Sequence, residues 1–179
     1  DDGLNASDGS TPSLNINGGK VYVNASGDGL DSNGTMSISG GEVIVEGPTD
    51  NGNTALDFER TLTISGGTVY AFGSSGMLET PSSASNGCCI VTTFSNVNGN
   101  DSFTLKYSSG NIIMSYAPSK SYSAAIIYSQ DIKSNTEYTI NAGSNSVSIT
   151  TNEGVTSNAA NGGFGQGGRG GSQKGMMPD

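Results

Sequence analysis

Histidine and tryptophan are absent from this 179-residue chain, and cysteine occurs only as the adjacent pair Cys88 and Cys89. Without histidine there is no Ser/His or Cys/His nucleophile pair. Two neighbouring cysteines make neither a disulfide framework nor the Cys-x-x-Cys spacing of zinc and redox sites, so we read them as small core residues. Positive charge is scarce: seven Lys and Arg stand against sixteen Asp and Glu, a formal charge of −9. Such a chain repels duplex nucleic acid and anionic membranes and attracts cations. No apolar run approaches the ~20 residues of a membrane-spanning helix, so membrane insertion is not expected. Aromatics make up only 7% of the residues, whereas glycine occurs 28 times among abundant Asn and Ser. That composition points away from helices and towards short strands joined by turns.

What is present is a repeat. Leu4, Leu30 and Leu56 fall 26 residues apart, each within an acidic and amide-rich stretch. After each comes a strand-like piece, "SLNINGG" (13–19), "TMSISGG" (35–41) or "TLTISGG" (61–67), in which apolar and polar residues alternate. The Gly-Gly pair turns the chain into a second strand, "KVYVN" (20–24), "EVIVE" (42–46) or "TVYAF" (68–72). A unit this short cannot bury its own apolar face, and stacking successive units makes one continuous interior. The pattern predicts an all-β, parallel β-helix, with an antiparallel sandwich as the alternative. From about residue 86 the repeat becomes irregular, and further coils or a closing β-cap are expected there. The organisation expected is therefore one domain over 1–155, with regular coils to about residue 80, and a Gly-rich flexible linker over 156–179. The first residue already lies inside a repeat, as in a chain whose signal peptide has been removed.

Stacking gives the acidic stretches a physical meaning. Equivalent residues of adjacent coils sit about 4.8 Å apart, which would place Asp2 over Asp28, and Asn5 over Asp31 over Asp57. Carboxylates at that distance repel, and a hard cation offsets the repulsion. Calcium takes six to eight oxygen ligands from carboxylates, amides, carbonyls and water. Asp1, Asp2, Asn5, Asp28, Asp31, Asp50 and Asp57 are the candidate ligands. The alternative is turn chemistry alone, since Asp and Asn also bond their own main chain at corners. A bound ion could equally be a structural staple.

A second set lies on the outward positions of the second strand, where Tyr22, Ile44 and Tyr70 share one column. Flat rings in a row stack on sugar faces, and neighbouring carboxylates bond hydroxyls, so Tyr22, Tyr70, Glu42 and Glu46 are the candidate carbohydrate-binding residues. The plainer alternative is a cross-strand ladder that merely stabilises the sheet.

The stretches "DDGLNASDG...LNINGGKVYVNASGDGLDSNGTMSISGGEVIVEGPT" and "FTLKYSSGNIIMSYAPSKSYSAAIIYSQDIKSNTEYTI", with the Gly-rich tail, resemble a bacterial carbohydrate-binding domain family of clostridial and related cell surfaces. The resemblance spans nearly the whole chain. It implies a right-handed parallel β-helix like that of pectate lyases, bound calcium ions, and binding of cellulose-type or acidic pectic polysaccharides without established cleavage. Asp2, Asp28, Asp31 and Asp57 match the family's acidic coil positions, whereas Thr54 and Ala55 depart from the Asp-Gly of the first two coils.

The function expected is thus a non-catalytic, calcium-containing polysaccharide-binding module of a secreted or cell-surface protein, monomeric within a larger chain. One alternative is a calcium-dependent pectate-type lyase, which needs a base to remove the proton beside a uronate carboxylate. Arg60 is the only base beside the acidic ladder, and a lone arginine there is also an ordinary salt-bridge partner. No catalytic residue is assigned. The other alternative is a structural stalk or adhesin scaffold.

Overall fold

The computed structural model describes residues 1–159. Among them it is all-β, with fifteen strands and no helix. The repeats form β1 (Leu4–Ala6), β2 (Ser13–Asn24), β3 (Leu30–Ser32), β4 (Thr35–Glu46), β5 (Leu56–Phe58), β6 (Thr61–Ile64), β7 (Thr68–Gly73) and β8 (Ser83–Ala84). The rest forms β9 (Cys88–Val97), β10 (Phe103–Tyr107), β11 (Ile112–Tyr116), β12 (Tyr122–Ser129), β13 (Glu137–Ala142), β14 (Asn145–Thr150) and β15 (Val155–Ser157).

Successive repeats stack in parallel and in the register their sequence implies. Leu4 pairs with Leu30 and Leu30 with Leu56 in the sheet β1-β3-β5. Ser13, Thr35 and Thr61 form another row, and Val21, Val43 and Val69 a third. The Gly-Gly corners fix this stacking sterically. Gly19, Gly41 and Gly67 all have positive φ, between 81° and 91°. A Cβ on Gly67 would lie 2.3 Å from the Gly41 carbonyl oxygen, so each corner can approach the last only as glycine.

Past β8 the pairing changes. β12 runs antiparallel between β7 and β9, and β15 returns parallel to β9. A separate antiparallel sheet, in the order β11-β10-β13-β14, packs across the outer face of β7, β9 and β12. In the irregular half β9, β12 and β15 thus extend the large sheet with mixed pairing instead of regular parallel coils, and β10, β11, β13 and β14 form a covering layer. The linker expectation for 156–179 is met at its start by strand, since β15 includes Thr156 and Ser157. Residues 160–179, which carry the rest of that expectation, lie outside the described residues.

Two hydrophobic cores result. One lies inside the stacked repeats and holds Leu30, Leu56, Ile38, Ile64, Val43, Val45 and Val69. The other lies between the large sheet and its cover and holds Phe72, Ile90, Phe103, Leu105, Ile127 and Ile140. Strands β9 and β12 serve both, which explains their unbroken apolar runs: Cys89, Val91, Ile126 and Tyr128 face the first core, and Cys88, Ile90, Ala125 and Ile127 the second. Both cysteines are free and buried.

Candidate functional site

The acidic column is built by three-residue strands. In β3 and β5 the leucine is buried in the core, while Leu4 on the terminal strand β1 is exposed; the next residue of each strand lies on the other face, and Asn5, Asp31 and Asp57 stand in register. The Asn5 side-chain amide donates to Asp31 and, at 3.2 Å, to Asp2. Asp2 and Asp28 do something the spacing alone did not reveal. The Asp28 amide donates to the Asp2 carboxylate at 3.0 Å, and the Thr54 amide to the Asp28 carboxylate at 2.6 Å. Each acid thus accepts from the main chain one coil further on, and the glycine beside it lets the coils close: a Cβ on Gly29 would lie 2.4 Å from the Ala55 carbonyl oxygen. The repeated Asp-Gly is inter-coil turn chemistry as well as a source of charge.

Charge accumulates along this ladder. Burial, then repulsion from neighbouring acids, raises the carboxyls of Asp28, Asp31 and Asp57 above the ordinary aspartate range, despite the hydrogen bonds they accept. Asp50 adds to the repulsion at Asp28, while its own carboxylate accepts the Gly52 amide at 2.8 Å in a local turn. At Asp1 it is the main-chain carbonyl that is engaged, by the Gly27 amide at 3.1 Å.

Beyond Asp57 the structure adds an acid the sequence reading missed. Glu79 accepts the Phe58 amide at 3.1 Å, bonding back to the preceding repeat where Asp2 and Asp28 bond forward to the next. Burial, reinforced by the charges of Asp57 and Asp28, pushes its carboxyl up to about 7. A signal was present: Leu78-Glu79 follows Leu56-Asp57 by 22 residues, the offset that also separates Ser13 from Thr35. Asp31, Asp57 and Glu79, with Ser32, Asn33, Phe58, Glu59 and Arg60, line a cleft of about 460 Å³. Arg60 is the only cation among the described residues that line it. Among the described residues no group of three or more Asp, Glu or Cys side chains is placed to hold a metal ion.

The tyrosine column is in register as expected, Tyr22 beside Ile44 beside Tyr70. Its exposure is uneven. Tyr22 is 59% exposed, but Phe72 is buried and Tyr70 is half-covered, because β11 lies across them with Tyr116 at 5.7 Å from both rings. Glu42 stays near the surface and pairs with Lys20 at 2.8 Å. Glu46, expected to face solvent, is only 2% exposed. It accepts hydrogen bonds from the Tyr116 hydroxyl at 2.7 Å, from the Asn24 amide at 3.2 Å and from the Ser119 hydroxyl. Nothing near Tyr116 in the sequence announced this contact, which depends on how a distant hairpin packs.

No protein-family model, curated protein or solved structure matches this chain.

Proposed function

We propose that the chain is a non-catalytic, calcium-binding polysaccharide-binding module of a secreted or cell-surface protein, and that its stacked repeats are a right-handed parallel β-helix. The observation that carries the reading is the acidic column, in which Asp31 and Asp57 stand in register and line one cleft with Glu79 while burial and mutual repulsion hold their pKa values up. Uncompensated repulsion repeated coil after coil favours a cation partner.

The donor chemistry fits calcium. Asp31, Asp57 and Glu79 offer carboxylate oxygens to the cleft. Asp2 and Asp28 each accept a backbone amide on one oxygen, and the other oxygen of Asp2 accepts the Asn5 side-chain amide. The Thr54 hydroxyl is buried and finds no hydrogen-bond partner among the described residues. These are hard oxygen ligands of the kind calcium takes, with water free to complete the shell. Bound there, calcium would neutralise the column and attract the carboxylate of an acidic sugar.

The test is retention on cellulose and on polygalacturonate, in calcium and then in excess chelator, with calcium affinity measured by calorimetry. Retention without product release supports the module. Absence of retention on either polymer leaves a calcium-stapled scaffold and overturns it.

Arg60 favours a second reading, because it lines the same cleft as Asp57 and Glu79. In a uronate lyase it would be the group that removes the proton beside the sugar carboxylate. Release of unsaturated uronate from polygalacturonate, abolished by Arg60→Ala, would establish that activity.

A further inference from the structure

The covering sheet does more than bury Tyr70 and Phe72; it brings a second tyrosine to the exposed one. Tyr22, on β2, and Tyr116, on β11, are 94 residues apart in sequence, yet both belong to one hydrogen-bond network around the buried Glu46 carboxylate, Tyr116 directly and Tyr22 through the Asn24 amide. The Tyr116 hydroxyl donates to one oxygen of Glu46 at 2.7 Å. The Asn24 side-chain amide donates to the other oxygen at 3.2 Å and also lies 3.4 Å from the Tyr22 hydroxyl. The Tyr116 ring is in turn held from behind by Phe72, stacked at 5.7 Å and 14°, and by Tyr70.

The carboxylate at the centre is equipped to stay charged. Burial alone would raise Glu46, but the Ser119 and Tyr116 hydroxyls and the nearby Lys120 charge outweigh it and hold it below the ordinary glutamate range. Lys120 is itself anchored by donating to the Ala25 carbonyl at 2.5 Å. Glu46 is too buried to touch a ligand; it fixes the Tyr116 hydroxyl directly and holds the Asn24 amide that donates to the Tyr22 hydroxyl. The seam therefore offers one exposed ring, one half-exposed ring with a fixed orientation, and the amide of Asn24, which suits the apolar face and hydroxyl rim of an uncharged pyranose. Of the cations around it, Lys20 pairs with Glu42 and Lys120 donates to the Ala25 carbonyl, so among the described residues neither stands unengaged to recognise a uronate.

We propose that Tyr22 and Tyr116 form an aromatic clamp for a neutral pyranose, with Glu46 as the positioning residue beneath them, and that the clamp acts independently of the acidic cleft. This rests on the polysaccharide-binding reading above and assigns the uncharged glycans to a different face from the cations.

The experiment is affinity electrophoresis of the chain in gels containing a soluble neutral β-glucan, run with calcium and with chelator, alongside polygalacturonate gels. Retardation by the β-glucan should be unchanged by chelator. Tyr22→Ala, at an exposed position, and Tyr116→Ala should each weaken it about tenfold, the cost of losing one stacked ring. Glu46→Ala should weaken it as well, whereas Glu46→Gln, which keeps an acceptor for Tyr116, should restore it. Because the chain has no tryptophan, its ultraviolet emission comes from tyrosine, and glucan should change that emission in the parent but not in Tyr22→Ala. Parent affinity in folded Tyr22→Ala and Tyr116→Ala overturns the clamp, as does loss of glucan binding in chelator. Retention on polygalacturonate alone overturns the clamp and leaves the module reading standing; retention on neither overturns both.

Discussion

The two halves of the molecule solve the same problem by opposite means. Residues 4–84 bury one face of each strand by repetition: every coil meets a near copy of itself, in parallel, at a fixed offset. Residues 88–157 lack that regularity, and β9 and β12 are buried on both faces by partners distant in sequence. In the first half a side chain's neighbours follow from the repeat; in the second they follow only from the whole fold. The seam between the halves, where β7 turns Val69 and Ala71 to one core and Phe72 to the other, shows what each contributes.

The comparison can be broken hardest at that seam. Phe72 packs edge-on against Phe103 and Tyr122, at 5.2 and 5.0 Å, so Phe72→Ala should cost about 3–5 kcal/mol. One cooperative melt at a lowered temperature would mean that the halves fold as a unit; two separated transitions in calorimetry would mean that each core stands alone. A change confined to the repeats should come next. Gly67→Ala forces a Cβ onto the Gly41 carbonyl at positive φ, and about 3 kcal/mol of lost stability is expected. Hydrogen exchange should then show lost protection in β4 and β6 while β13 and β14 retain theirs, and uniform loss would contradict the division.

Smaller effects concern the acidic column. Because the folded Glu79 carboxyl lies near 7 against an ordinary value of 4.5, the folded state holds a proton that the unfolded chain has released between those values. Stability in calcium-free buffer should therefore rise as the pH falls from about 7 towards 5, by about 1 kcal/mol after solvent screening. Melts across that range should show the slope, Glu79→Gln should flatten it, and an opposite slope in the parent would refute the raised pKa. Smallest of all, Asp2→Ala leaves the Asp28 amide without its acceptor and should cost about 0.5–1 kcal/mol. Asp2→Asn keeps an acceptor and relieves repulsion at Asp31 and Asp57, so it should be neutral or stabilising in a denaturant titration.

The same contrast explains what could be read in advance. The registers of Leu4/Leu30/Leu56, Asn5/Asp31/Asp57 and Tyr22/Ile44/Tyr70 were legible because a period fixes them without knowledge of anything else. The burial of Glu46 and Phe72 was not, since an outward position in a repeat is solvent-facing only until another layer lands on it. Glu79 fell between the two cases: it keeps the column's chemistry, but a side chain rather than a strand makes the contact, and the alternating pattern that marks a coil has gone. The amide-accepting role of Asp2 and Asp28 escaped because composition shows which groups can bond, and only the closed coil shows which amide waits for them.

Cys88 and Cys89 are adjacent in sequence, yet one thiol lies in each core. Burial raises both thiols above the ordinary cysteine range, so neither reacts until its own side of β9 opens. Single Cys88→Ser and Cys89→Ser variants consequently turn one strand into a pair of independent clocks, each timing the breathing of a different compartment by its rate of thiol labelling.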